Sequence, residues 1–309
     1  MILTYRVSGG EMGRGVYSVL RSEMGLSETA IRRLKRSDAI SVNGRSAFTN
    51  ERLDLGDVVA ADVSKAEPES GVVPERGDIE IIYEDEGLVA VNKPAGLLTH
   101  PSRAKYTGTL ANFVAWHLLE RDGAGQCHAV NRLDRDTSGV VLFAKNSHMK
   151  ALTSKALSDP DSEKEYIALV FGEPDEREGT VDLPIIRLRE GDMMRGVSPD
   201  GQRAVTRYVT LGSFEAFGDV ISLVRMKLET GRTHQIRVHF LAVGNPVLGD
   251  GMYYTERSCA LSEKIGIHAQ ALHARRILFR EPFGGEMVEI TAQPPLLFDF
   301  ALESLGIFI

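Results

Sequence analysis

Between Cys127 and Lys145 the chain changes character abruptly. A polar turn, Arg132-Leu133-Asp134-Arg135-Asp136-Thr137-Ser138-Gly139, runs into four apolar residues, Val140-Val141-Leu142-Phe143. A continuous apolar, β-branched run of this length predicts a strand buried on both faces, with the polar turn at its mouth. Upstream, residues 14–24 predict a helix. Ser27 stands as N-cap to a second helix over 28–36, in which Ala30, Ile31 and Leu34 fall at helical spacing. Residues 39–45 predict a short strand meeting an Asn43-Gly44 hairpin turn, and a further turn and strand follow over 53–59. From 65 to 77 the chain is rich in Glu, Pro, Ser and Gly without apolar periodicity, which predicts a linker.

Beyond the linker, strands at 79–83 and 88–92 pair as a hairpin. Helices are expected over 109–120 and 148–157, and strands over 164–172, 220–228 and 286–290, with a closing helix after Pro294-Pro295. Residues 173–210 read as loop-rich, with an irregular β segment and dispersed arginines. The stretch 268–276 suits a helix or a strand equally. Fold class is therefore α+β: a small unit over 1–65, a linker over 66–77 and a larger unit over 78–309.

Composition narrows the function. With 309 residues, 43% of them hydrophobic and 26% charged, the chain has the make-up of a soluble globular protein. No apolar run approaches the roughly 20 residues of a membrane span, and the N-terminus lacks the layout of a secretory signal. Two cysteines, Cys127 and Cys259, make neither a disulfide framework nor a metal pair, so the cytosol is the expected compartment. A net charge of −7 argues against nucleic-acid binding by bulk positive charge. A local basic surface remains open, because phosphate attraction acts over about 10 Å. Arg32, Arg33, Lys35 and Arg36 supply one within two helical turns, although a solvated helix face would look the same.

Candidate chemistry gathers at two places. Asp134 lies two positions from Arg132 and two from Asp136, so an arginine and a second carboxylate are placed to tune it. The same turn also fits an ordinary Asx-turn, with Asp134 and Thr137 bonding local backbone. Further on, Arg232, His234, Gln235, Arg237 and His239 crowd one turn and helix start. The i,i+5 spacing of the two histidines does not suit a metal, whereas so many donors suit phosphate, carboxylate or base edges. Tyr166 sits near the start of its strand, as a rim or core tyrosine or as a side chain reaching into a site. Lys93 reads as a phosphate contact or as a plain turn lysine.

Two resemblances organise these observations. The order L-S-E-T-A-I-R-R-L-K-R, I-S-V-N-G-R and L-x-x-G-D-V-V resembles the small RNA-binding domain first seen in ribosomal protein S-four. In that family a basic helix and the following hairpin grip structured RNA. The segments N-K-P-A-G-L-L-T-H-P, R-L-D-R-D-T-S-G, K-E-Y-I-A-L-V and L-E-T-G-R-T-H-Q-I-R-V-H, with P-V-L-G-D-x-x-Y after them, resemble the RluA/RluD family of pseudouridine synthases over residues 78–300.

That resemblance implies a mixed, largely antiparallel sheet and a cofactor-free, metal-free isomerisation of uridine in RNA. It implies Asp134 as the catalytic aspartate, Arg237 as its paired arginine, Tyr166 against the target base and Arg132 in the gap left by a flipped nucleotide. Arg232, His234 and Gln235 are expected to contact RNA, together with Arg32, Arg33, Lys35 and Arg36. Ribosomal RNA is the first expected substrate and transfer RNA the second, acted on by a monomer. One departure stands out: Asn131 occupies a position where the family usually has His, and it is expected to tune RNA contacts. The rival readings are a non-catalytic RNA clamp with the same fold and a hydrolase that would release free uracil.

Overall fold

A computed structural model describes residues 1–66, 71–102, 104–123 and 125–306. The centre of the expected linker, 67–70, and the last three residues therefore lie outside the described residues.

The smaller unit consists of β1 (Ile2–Arg6), α1 (Val16–Ser22), α2 (Glu28–Arg36), β2 (Ile40–Val42), β3 (Arg45–Ser46) and β4 (Val58–Asp62). Its sheet runs β1-β4-β2-β3. Ser27 caps α2 as its spacing predicts, accepting a hydrogen bond from the Ala30 amide. Asn43 and Gly44 both take positive φ, 50° and 80°, as the tight β2–β3 turn requires. Ile31 and Leu34 are buried under α2 while Arg32, Lys35 and Arg36 face solvent. The N-terminal strand β1 was not expected. Its burial alternates only once, at Leu3, so the pattern is too short to read, and pairing with β4 supplies what the pattern lacks.

The larger unit contains β5 (Glu80–Glu84), β6 (Leu88–Lys93), α3 (Leu110–Asp122), β7 (His128–Ala129), β8 (Ser138–Ala144), α4 (Ser147–Ala156), β9 (Glu163–Phe171) and β10 (Glu178–Asp182). There follow β11 (Ile185–Arg187), β12 (Arg195–Val197), β13 (Val205–Ala216), β14 (Asp219–Leu228), α5 (Gln235–Ala242), α6 (Glu256–Ile265), β15 (Leu272–Arg280), β16 (Met287–Thr291) and α7 (Asp299–Leu305). Its main sheet runs β10-β13-β14-β9-β15-β8-β6-β5, with β16 beside β15 and β7 beside β8. Pairing is antiparallel except between β8 and β15, and β11 and β12 form a separate two-stranded arm. The fold is α+β. Among the described residues no helix is long and apolar enough to cross a membrane.

β8 lies near the middle of this sheet, and all seven of its residues are buried. Each fully buried Val, Leu or Phe there contributes about 1.5–3 kcal/mol relative to exposure, which makes the strand a firm base for the turn before it. Gly139 is essential at its start. Its φ is +112°, and a Cβ would stand 2.1 Å from the Ala274 carbonyl oxygen, so only glycine lets β8 and β15 meet.

Two regions differ from expectation. Residues 173–210 carry three short strands and the opening of β13, a strand of twelve residues. Exposed Arg207 and Glu215 and a bulge between Thr210 and Gly212 break its alternation, so its pairing with β14 and β10 defines it. Residues 71–77 lie along α3: Val72 is buried there, and the Asn112 side chain donates to the Val73 carbonyl at 2.8 Å. The two units also touch, since Met1 packs against the apolar cluster beneath α4 and a Cβ on Gly25 would stand 3.7 Å from Leu152.

Candidate active site

The turn carrying Asp134 is held from three directions. Thr99 Oγ1 donates to the Leu133 carbonyl at 3.0 Å and accepts from the Leu133 amide at 3.3 Å. The Asn131 side chain donates to the Val140 carbonyl at 3.1 Å and accepts from the Leu142 amide at 2.7 Å. Asn131 therefore clamps the turn to β8, one end of its amide on each of two backbone groups. From behind, Lys93 is fully buried, and its ammonium donates to the carbonyls of Pro94, Leu97 and Arg135 at 2.8–2.9 Å. Burial pushes its pKa down to about 8, opposed by the nearby charges of Asp136 and Asp134. Lys93 is thus a structural turn lysine, with no proton left for a phosphate.

Asp134 does not form an Asx-turn. The local turn is closed by its backbone carbonyl, which accepts from the Thr137 amide at 3.2 Å. Its carboxylate instead accepts from Arg237 Nη1 at 2.8 Å. The two neighbours singled out by spacing are not its partners. Asp136 pairs with Arg135, and Arg132 is exposed, with no ion pair or hydrogen bond to any described residue.

Arg237 lies in the first turn of α5 and is a shared cation. Its Nε and Nη2 donate to the two oxygens of Asp250 at 2.6 and 2.9 Å, and its guanidinium stacks 4.9 Å above the Tyr253 ring. Burial alone would lower its pKa, but the bonds and charges of Asp250 and Asp134 outweigh it and hold the pKa above its ordinary value. Asp250 is completely spent, because the Met252 and Tyr253 amides also donate to it. Desolvation, and then the charge of Asp134, raise the pKa of half-buried Tyr166. The strand β9 thus brings that phenol within electrostatic reach of the Asp134 carboxylate.

The remaining expected residues divide. His234, buried at the N-terminus of α5, faces the site, with Nε2 3.8 Å from Asp134 Oδ2. His239 points elsewhere, bonding Thr206 and the Leu183 carbonyl. Gln235, expected on RNA, is turned inward: its amide oxygen accepts from Thr230 and the Arg232 amide, and its nitrogen donates to Val205 and Thr206. All four of its hydrogen-bonding positions serve the framework. Arg232 is exposed, one of its nitrogens held by the Arg203 carbonyl. Arg32, Arg33, Lys35 and Arg36 belong to α2 of the other unit.

Sequence reasoning missed Asp250 and Tyr253. Their signal was the P-V-L-G-D-x-x-Y segment, where a carboxylate flanked by two glycines precedes a buried tyrosine.

A second buried group ties the far end of the turn to the sheet. Ser138 bonds His273 Nδ1 at 2.9 Å, and His273 Nε2 reaches the Ala292 carbonyl at 3.1 Å. Burial lowers the His273 pKa from 6.5 to about 4. As pH falls through that window the unfolded chain binds a proton that the folded one refuses, so stability is lost, by about 3 kcal/mol in all. Urea titrations from pH 7 to pH 4 should show this slope in the wild type and a shallower one in His273→Gln. Parallel curves would refute it.

Comparison with known proteins gives a consistent picture. A family model described as RNA pseudouridylate synthase matches residues 87–242. A Bacillus subtilis (strain 168) protein described as "Uncharacterized RNA pseudouridine synthase YhcT" is 36% identical over 283 residues, covering 92% of this chain and 90% of its own. "Ribosomal large subunit pseudouridine synthase D" of Zymomonas mobilis is 31% identical over 304 residues, covering 95% and 93%. Among solved structures, "Human RNA Pseudouridylate Synthase Domain Containing 4" superposes with a TM-score of 0.59 at 26% identity, covering 74% of this chain and 94% of that one.

Proposed function

The chain belongs to the RNA pseudouridylate synthase family, and from that premise we propose that Asp134, Arg237 and Tyr166 carry out the isomerisation of uridine in structured RNA. The observation that carries this reading is the single cation Arg237, bridging Asp134 and a fully satisfied Asp250 at the mouth of β8. The bridge fixes the Asp134 carboxylate in one place and sets a permanent positive charge beside it. The reaction breaks the bond between ribose C1′ and uracil N1, turns the base, joins C1′ to C5 and moves the C5 proton away. Asp134 acts at the ribose, by addition or by proton removal. Tyr166 lies against the base and assists loss of the C5 proton. Arg132, exposed and without an ion pair to any described residue, occupies the stack left by the flipped nucleotide.

Ribosomal RNA is the proposed substrate, supported by the name of the Zymomonas relative, with transfer RNA second. Residues 1–65 are proposed as an S-four-like RNA-binding domain ahead of the 78–309 catalytic domain. A monomer acting in the cytoplasm fits the two unpaired cysteines.

Tritium release from RNA labelled at uridine C5 tests the activity. Release without free uracil supports a synthase, release of uracil indicates the hydrolase, and binding without release indicates the clamp. For α2, neutralising Arg32, Arg33, Lys35 and Arg36 together should weaken RNA binding. It should also reduce the slope of log K against log salt by about 3, at roughly 0.7–0.9 per lost phosphate contact. An unchanged slope would make that face merely solvated.

A further inference from the structure

We propose that His234 is a substrate-contacting donor, its ring fixed by Tyr253 as the Nε2–H tautomer and aimed at the uracil O2 of the target nucleotide. The proposal rests on the reading of the Asp134 site given above and adds to it the group that receives the charge leaving the sugar.

Four observations converge. His234 adopts φ 58°, ψ 22°, a left-handed conformation that is uncommon for a residue with a side chain, and it does so at the start of α5. That backbone turns the imidazole toward Asp134. Next, the Tyr253 hydroxyl accepts the Arg195 amide at 2.7 Å and lies 2.9 Å from His234 Nδ1. With a backbone N–H already pointing at it, the phenol oxygen has its own proton to give. Nδ1 is the acceptor in reach, so the ring proton sits on Nε2.

Third, Nε2 stands 3.8 Å from Asp134 Oδ2, too far for a hydrogen bond, so its N–H is open to a substrate oxygen lying to the side of the carboxylate. Finally, all three nitrogens of Arg237, the other strong donor at this carboxylate, are already engaged, Nη1 with Asp134 and Nε and Nη2 with Asp250, whereas His234 Nε2 has no hydrogen-bond partner among the described residues.

The charges around the ring agree with a neutral donor. Burial and the cations Arg237 and Arg195 lower its pKa, while Asp134 and Asp250 oppose them. A neutral imidazole donates without handing its proton to Asp134, so both groups keep their roles. When the C1′–N1 bond breaks, its electron pair stays on uracil and spreads over N1 and O2. A fixed N–H at O2 meets that charge as it forms and releases it when C5 bonds to C1′. Tyr253 is a positioning residue for this donor.

Two independent measurements test the idea. Nitrogen NMR of histidine-labelled wild type at pH 7, without RNA, should show His234 bare at Nδ1 and protonated at Nε2. Tyr253→Phe should mix the tautomers. In single-turnover assays His234→Ala should slow isomerisation about a hundredfold with RNA affinity within threefold, and His234→Gln, which restores an N–H, should recover about tenfold. RNA with 2-thiouridine at the target should slow the wild type but not slow His234→Ala further, since sulfur is the poorer acceptor.

A full-rate His234→Ala, an Nδ1–H signal in wild type, or equal loss on the thio substrate in both proteins would overturn the proposal. Wild type that isomerises no RNA overturns the reading beneath it, while the tautomer signal is read without substrate and keeps the two failures apart.

Discussion

Asp134→Asn is expected to remove turnover, by ~10⁴-fold or more, while RNA binding stays within a few-fold of wild type. The substitution is nearly isosteric, and the asparagine oxygen can still accept from Arg237 Nη1, now 2.8 Å from the carboxylate. Arg237 does not collapse, because Asp250 holds it by two further bonds. What disappears is the negative charge proposed to act at the ribose, on bonds rather than on affinity. The measurement is single-turnover tritium release beside a binding titration on the same RNA. Turnover near the wild-type rate would end the assignment of Asp134.

The second large effect is expected at a residue that meets no substrate. Asp250→Ala strips four donors of their acceptor: Arg237 Nε and Nη2 and the amides of Met252 and Tyr253. The Arg237 side chain is 7% exposed, so water does not replace the lost carboxylate. Breaking such a buried pair from one side costs about 3–5 kcal/mol, a fall in Tm of roughly 5–15 °C. Activity should fall as well, because an untethered Arg237 no longer holds Asp134 in place. The double variant Asp250→Ala, Arg237→Met should regain part of the stability and none of the activity. Full stability of Asp250→Ala by calorimetry would show that the bridge contributes little.

The elements visible in the amino-acid pattern were those that carry their own signal. The run Val140-Val141-Leu142-Phe143, the Asn43-Gly44 turn and the Ser27 cap each act through neighbours in sequence, and each is found where expected. The long strand β13 was hidden because its identity comes from pairing with β14 and β10, not from its own broken alternation. The site shows the same division. Asp134, Arg237 and His234 meet in the structure, but the charges adjacent to Asp134 in sequence are not its partners.

Gln235 and Asn131 illustrate a common limit of the pattern: polarity shows that a side chain needs partners, and only the fold shows whether those partners lie inside or outside. Lys93, open in the sequence between a phosphate contact and a turn lysine, is the same case with a charge, and the turn reading is the one found. A lysine in a turn reads as surface until the topology closes β6 and the Asp134 turn over it.

The fastening of that turn by Lys93, Asn131 and Thr99 has a consequence for target choice. A carboxylate pinned to the centre of a sheet has no travel of its own, so the displacement needed for reaction falls on the RNA. Uridines would then be sorted by mechanical compliance: the cost of peeling a base from its stack is small in loops and bulges and large within a paired helix. Such an enzyme selects for softness at the target before it reads any base edge, and stiffening the RNA there should protect an otherwise correct sequence.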